Sequence, residues 1–161
     1  MPKSMLVAAA LALAACGGSS GPATRFSATL SSANETPASP HPNASATGSA
    51  TYTVNGSTVN FTVTFSGLSG NATAAHIHVG SASEAGGVVV GPFTGVPAAT
   101  SGTFTGSFTA ADVKAGSTAS TTITAGDLNS MLTAMRAGNT YTNIHTASNP
   151  AGEIRGQNAP Q

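Results

Sequence analysis

On either side of an Asn55-Gly56 dipeptide, apolar and polar residues alternate without a break: Ala50, Tyr52 and Val54 before it, Val59, Phe61, Val63 and Phe65 after it, with Thr and Asn between. A repeat of two puts one set of side chains on one side of an extended strand and the other set on the opposite side. A helix, with 3.6 residues per turn, would scatter the same residues around its whole surface. Asn-Gly predicts a two-residue type I′ turn, which would pair Val54 with Ser57, Tyr52 with Val59 and Ala50 with Phe61. In that register the apolar faces of both strands coincide. The chain is thereby committed to an antiparallel sheet with one dry face.

Further strands are predicted at Phe26–Leu30, Ala74–Val79, Val88–Phe93, Thr103–Thr109, Ser120–Thr124, Tyr141–Thr146 and Glu153–Gly156. Leu128, Met131, Leu132 and Met135 stand at i, i+3, i+4 and i+7, so residues 127–137 form one amphipathic helix, with Asp127 able to cap its start and Gly138 its end. The methionines read as core filler. Short strands separated by turn residues predict an all-β fold, a Greek-key β-sandwich of about eight strands with one short helix. Residues 38–45, with two prolines among polar residues, read as a mobile loop, and 158–161 as a frayed tail.

Residues 1–15 read as a lipoprotein signal peptide. Lys3 is their only charge, and Met5 to Ala15 is an apolar run too short to span a bilayer. Leu13-Ala14-Ala15-Cys16 fits a bacterial lipobox in which Cys16 is lipidated, and 16–25 then forms the anchor and a flexible tether. Cys16 is the only cysteine, so no intramolecular disulfide forms. One domain, 26–157, remains. Formal net charge is zero with neither sign clustered, which excludes an electrostatic footprint for nucleic acid. Only five acidic residues occur and no carboxylate pair stands out, so hydrolytic chemistry finds no support. The reading is of a binding module rather than an enzyme.

The chemical content lies in the histidines. His76 and His78 leave one side of one strand, with Ile77 and Val79 on the other. On the last long strand Tyr141, Asn143 and His145 share a side, opposite Thr142 and Ile144. If the two strands are neighbours, His76, His78 and His145 converge, and three imidazoles suit Cu²⁺ or Zn²⁺ with an open fourth position. Asn143, Glu153 and Arg155 have the parity to orient such ligands or hold an anion beside them. Glu153 and Arg155 also read as an outward-facing surface ion pair flanking Ile154. Without a metal, the histidines would be structural, and an exposed Thr/Ser-rich sheet face would serve a protein or glycan partner.

Six segments in order carry a resemblance: Leu30-Ser-Ser-Ala-Asn-Glu35-Thr-Pro37, Ala46-Thr-Gly-Ser-Ala-Thr-Tyr52, Ser66-Gly-Leu-Ser-Gly70, Ala75-His-Ile-His-Val-Gly80, Gly102-Thr-Phe104 with Phe108-Thr-Ala-Ala-Asp-Val113, and the closing Asn143-Ile-His145 to Glu153-Ile-Arg155-Gly-Gln157 run. Together they resemble CHRD domains, the module first described in chordin, which implies an extracytoplasmic β-rich domain. The stretch from Gly67 to Gly87, with its His76-Ile-His78, is also similar to the copper-ligand strand of copper/zinc superoxide dismutases, and His145 to their later copper ligand. That likeness implies a shared sandwich and names the same three histidines. The dismutases' zinc loop, disulfide and bridging histidine have no counterpart here, so dismutase-like redox activity stands third, behind a metal-binding and an interaction module.

Overall fold

The computed structural model describes residues 21–161, so the signal peptide and Cys16 lie outside the described residues. The strands are β1 (Arg25–Ser31), β2 (Thr47–Asn55), β3 (Thr58–Ser66), β4 (Ala72–Val79), β5 (Val88–Val90), β6 (Gly102–Thr109), β7 (Gly116–Ser117), β8 (Thr122–Ile123), β9 (Thr140–Thr146), β10 (Ile154–Gln157) and β11 (Ala159–Pro160). One α-helix, α1 (Leu128–Arg136), precedes β9. The fold is all-β, as the alternation requires.

Eight strands form one antiparallel sheet in the order β5-β4-β9-β10-β1-β2-β3-β6, with β11 added beside β1 and β7–β8 a separate ribbon. The sheet curls round a single core until it nearly closes. Tyr52 on β2 and Thr142 on β9 are three strands apart in the sheet, yet their hydroxyls meet at 2.6 Å across the interior. Thr142 also donates to Asn158 Oδ1 at 2.7 Å, so the polar atoms inside are satisfied as a chain. Around this chain pack Phe26, Leu30, Val63, Phe65, Ile77 and Ile144. Met131 and Met135 of α1 are fully buried against the same core, and Asp127 caps the helix by accepting from the amides of Asn129 and Ser130.

Three expectations need correction. The hairpin turns at Gly56-Ser57, with Asn55 still in the strand opposite Thr58, so Tyr52 faces Phe61 and Ala50 faces Val63. Gly56 has φ +60° and Ser57 does not enter the left-handed region, which makes a type II′ turn with glycine first rather than type I′. The register slides by two residues, and because two is the side-chain period the apolar faces still coincide.

Residues 38–45 are not a free loop. Ser39 is buried and its hydroxyl donates to Asn149 Oδ1 at 2.7 Å, an oxygen that also accepts from the His41 amide at 3.2 Å. Nor is 158–161 a frayed tail. Asn158 is buried and donates to Thr140 Oγ1 at 3.0 Å, β11 pairs with β1, and the Gln161 amide donates to the Arg25 carbonyl at 3.0 Å. Both segments find partners for their backbone and amide groups that only the assembled sheet supplies.

Candidate metal centre

β4 and β9 are neighbours, with His76 opposite Asn143 and His78 opposite Tyr141. On the other side of β9, β10 places Arg155 opposite Asn143 and Gln157 opposite Tyr141. The same unbroken register sets His145 opposite Ala74, two positions from His76 on the same side of the sheet, and the ladder shifts only beyond it, between Ala72 and Ala74. β9 is buried on both sides along its whole length. Its inner side meets the core, and its outer side, carrying Tyr141, Asn143 and His145, lies under the loops after β1, β4 and β9.

The three imidazoles come together on that outer side. One ring nitrogen from each of His76, His78 and His145 lies within 4.8 Å of the other two. His76 Nδ1 and His145 Nε2 are 3.0 Å apart, about the separation of adjacent ligands on one ion with metal–nitrogen bonds of ~2.0–2.1 Å. Two of the rings have their tautomer set from behind. His145 Nδ1 donates to the Pro150 carbonyl at 3.0 Å, and His78 Nδ1 donates to the Gly86 carbonyl at 3.0 Å. Each bond leaves Nε2 as the free lone pair, the usual means by which a ligating imidazole is oriented. His145 Nε2 then accepts from His76 Nδ1. His78 Nε2 is buried with no hydrogen-bond partner among the described residues. A buried ring nitrogen without a partner costs free energy, and a cation at the cluster would satisfy it.

His78 lies flat on Tyr141, ring centroids 4.9 Å apart and planes 8° from parallel, while the Arg155 guanidinium sits 3.4 Å over the same ring. Tyr141 Oη accepts from the Gly86 amide at 3.3 Å, so one loop residue holds both the tyrosine and His78. Gly86 has no substitute: a Cβ there would lie 2.0 Å from the Val79 carbonyl oxygen. The loop itself is fastened twice. Arg155 donates to the Ser81 and Glu84 carbonyls at 2.7 and 2.9 Å, and the Glu84 carboxylate accepts from Ser120, the Ser81 amide and Thr118. Led by the Ser120 hydroxyl, these bonds hold Glu84 down at about 2.

Burial lowers His76 from 6.5 to about 4, with the His145 and His78 rings and the Lys114 ammonium adding to it. Burial likewise lowers His78 to about 4, against the pull of the Gly86 carbonyl, and lowers His145 against that of Pro150. The rings therefore stay neutral, and ready to ligate, well into mild acid. Glu35 moves the other way: burial raises it from 4.5 to about 7, although Asn143 donates to both its oxygens and Arg155 is near.

These shifts have opposite consequences for the metal-free protein. The histidines' contribution to stability is complete above ~6.5 and is lost as pH falls toward ~4, because the unfolded chain then binds protons that the folded one refuses. Glu35 contributes fully below ~4.5 and loses its contribution as pH rises through ~7. Glu35→Gln removes the opposing titration. In thermal unfolding of chelator-treated protein, the variant should lose more stability than wild type between pH 7 and pH 5. An equal or smaller loss would contradict the burial of Glu35.

The CHRD domain family matches residues 26–158. The chain belongs to the CHRD family. No curated protein and no solved structure matches it. In this CHRD domain the cluster is built from β4 and β9.

The other site residues named from sequence are distributed differently. Asn143 faces His76 from the neighbouring strand, but its amide nitrogen donates to Glu35 and its buried Oδ1 has no partner among the described residues. Glu153 and Arg155 are not a surface pair; both are buried, and neither hydrogen-bonds to an imidazole. Burial works against the Glu153 charge, but hydrogen bonds from Thr146, Ser69 and Asn149 outweigh it and hold the carboxyl below its usual range. Arg155 touches the cluster through Tyr141. His41 is exposed and takes no part in the cluster. Tyr141, Gly86, Pro150 and Glu35 escaped the sequence reading as site components. Tyr141 shares its parity with His145 and was legible to that extent, whereas backbone carbonyls leave no mark on a sequence.

Proposed function

We propose that this CHRD domain is an extracytoplasmic module that binds one transition metal ion, Cu²⁺ or Zn²⁺, through His76, His78 and His145. The observation that carries the reading is His78 Nε2, buried and without a partner among the described residues, in a three-histidine cluster where the His78 and His145 rings are both fixed from behind by carbonyls. No carboxylate or thiolate completes the set among the described residues, so the fourth position is open to water or to a partner's ligand. Titration of metal-free, untagged protein with Cu²⁺ or Zn²⁺ tests it: one equivalent should bind tightly, and a flat calorimetric trace would end the proposal.

A second reading is favoured by the outer side of β2, β3 and β6. There Thr51, Thr62 and Thr105 stand in one row and Ser49, Thr64 and Thr103 in the next, all exposed and uncharged. Such a surface suits an uncharged hydroxylated partner such as a glycan.

A lipid on Cys16, the residue that closes the lipobox, would hold the module at a membrane surface. No helix among the described residues is long and apolar enough to cross one. Anchoring through a lipid on Cys16 predicts that Cys16→Ser moves the protein from the membrane pellet to the soluble fraction after detergent-free lysis. A variant still found wholly in the pellet would refute the anchor.

A further inference from the structure

β6 ends the sheet, and its inner neighbour is β3. Beyond its outer edge, among the described residues, no strand is paired; a cleft of about 350 Å³ opens there between Gly106–Phe108 and the Val90–Thr94 segment. Natural proteins blunt such edges with charge, proline or a bulge. β6, Gly-Thr-Phe-Thr-Gly-Ser-Phe-Thr, has none of these, and its pairing with β3 is unbroken over eight residues.

The strand is also nearly the same read backwards. Around Gly106 the order is Thr103-Phe104-Thr105, then Ser107-Phe108-Thr109. Two copies of β6 lying antiparallel about a two-fold axis at Gly106 would set Thr103 against Thr109, Phe104 against Phe108 and Thr105 against Ser107. In such an isologous contact each match occurs twice. Side chains directly opposite in an antiparallel pair share a side of the sheet, so phenylalanines meet phenylalanines and hydroxyls meet hydroxyls. Within the monomer the same hydroxyl rung already forms on the other flank, Thr64 Oγ1 to Thr103 Oγ1 at 2.9 Å.

The backbone agrees with this axis. The Val54 amide donates to the Thr24 carbonyl, on the β1 side of β2, so the odd-numbered residues of β2 direct their amides and carbonyls to β3. Carried through the β2–β3 and β3–β6 registers, this turns Phe104, Gly106 and Phe108 toward β3, and Thr105 and Ser107 outward. The Thr109 amide, which donates to the Asp112 carboxylate, has the same outward parity. Thr105 and Ser107 are the pair that must exchange hydrogen bonds across a two-fold axis at Gly106. Gly106 would face its own copy at the closely spaced, non-bonded position, where the absence of a side chain is an advantage. Its glycine has a second cause inside the monomer, since a Cβ there would lie 2.5 Å from the Phe61 ring.

We infer that β6 is a self-complementary edge through which two copies of this chain pair, continuing the sheet from one molecule into the other. A two-fold axis brings like charges together, and β6 carries none to repel. One strand pair buries less than the ~1,200–2,000 Å² of a stable complex, so the dimer is weak and concentration-dependent.

Sedimentation equilibrium across micromolar to millimolar concentrations tests the inference, with variants at exposed positions that leave the β3–β6 ladder intact. Wild type should pass from monomer to dimer. Thr105→Lys with Ser107→Lys sets like charges opposite each other twice and should weaken association roughly tenfold or more. Thr105→Lys with Ser107→Glu sets Lys against Glu in this register alone and should restore it. Amide exchange at Thr105 and Ser107 should slow with concentration, while that at Phe104 and Phe108 stays slow throughout. A monomer at every concentration, a dimer unaffected by the double lysine variant, or no rescue by the charge pair would each overturn it.

Discussion

Alanine at His78 or His145 is expected to weaken Cu²⁺ or Zn²⁺ binding by roughly 100-fold or more, since each ligand carries a share of the ~10–16 kcal/mol typical of a closed zinc site. The triple variant with His76 should show no tight binding in calorimetry, and His41→Ala should match wild type. The two rings are expected to matter more than His76, because their Nε2 lone pairs are set in place before the ion arrives. His76 must exchange the proton it donates to His145 for the metal. His78→Gln and His145→Gln, whose amides can still reach the carbonyls behind the rings, separate loss of ligation from loss of packing. Identical titration curves for wild type and the triple variant would remove the metal from this protein's chemistry.

Phe61→Ala is expected to destabilise the domain by ~3–5 kcal/mol, the range for deleting a buried aromatic ring. Phe61 is only 6% exposed and its ring packs against Phe93 at 4.3 Å, Phe104 at 6.2 Å and Tyr52 at 6.4 Å. It also covers Gly106, which has no side chain of its own to fill the space. Asn60, the next residue, is exposed on the opposite side of the same strand, and Asn60→Ala should stay within about 0.5 kcal/mol. Urea unfolding of both variants decides the matter. Similar midpoints would mean that β3 does not present the face described here.

What could be read without coordinates was parity. Alternation from Ala50 to Phe65 set which residues face the core, and the same count put His76 and His78 on one side of β4 and Tyr141, Asn143 and His145 on one side of β9. The hairpin shows how far that information reaches. A turn displaced by one residue moved every pair in β2–β3 by two, and the faces survived because the displacement is a whole side-chain period. The helix was legible for the same reason, since its apolar stripe and its Asp127 cap are local.

Exposure was not legible, because it depends on what lies above a face rather than on the strand itself. The outer side of β9 has the polar residues of a wet surface. It is dry because the loops after β1, β4 and β9 fold over it, and their glutamates, serines and asparagines satisfy one another there. Glu153 and Arg155 illustrate the outcome: two charges read as a surface pair are each buried among donors and acceptors drawn from other segments. Sequence by itself therefore determined an all-β chain, its strand faces and the three histidines worth grouping. Only the tertiary structure decided that β4 and β9 are neighbours, that Pro150 and Gly86 aim two of the rings, and that β6 is left as the open edge. Strand faces follow from torsions within a few residues, whereas strand order rests on contacts between residues far apart in the chain, such as His76 with His145, 69 positions on, and Ser32 with Glu153, 121 positions on.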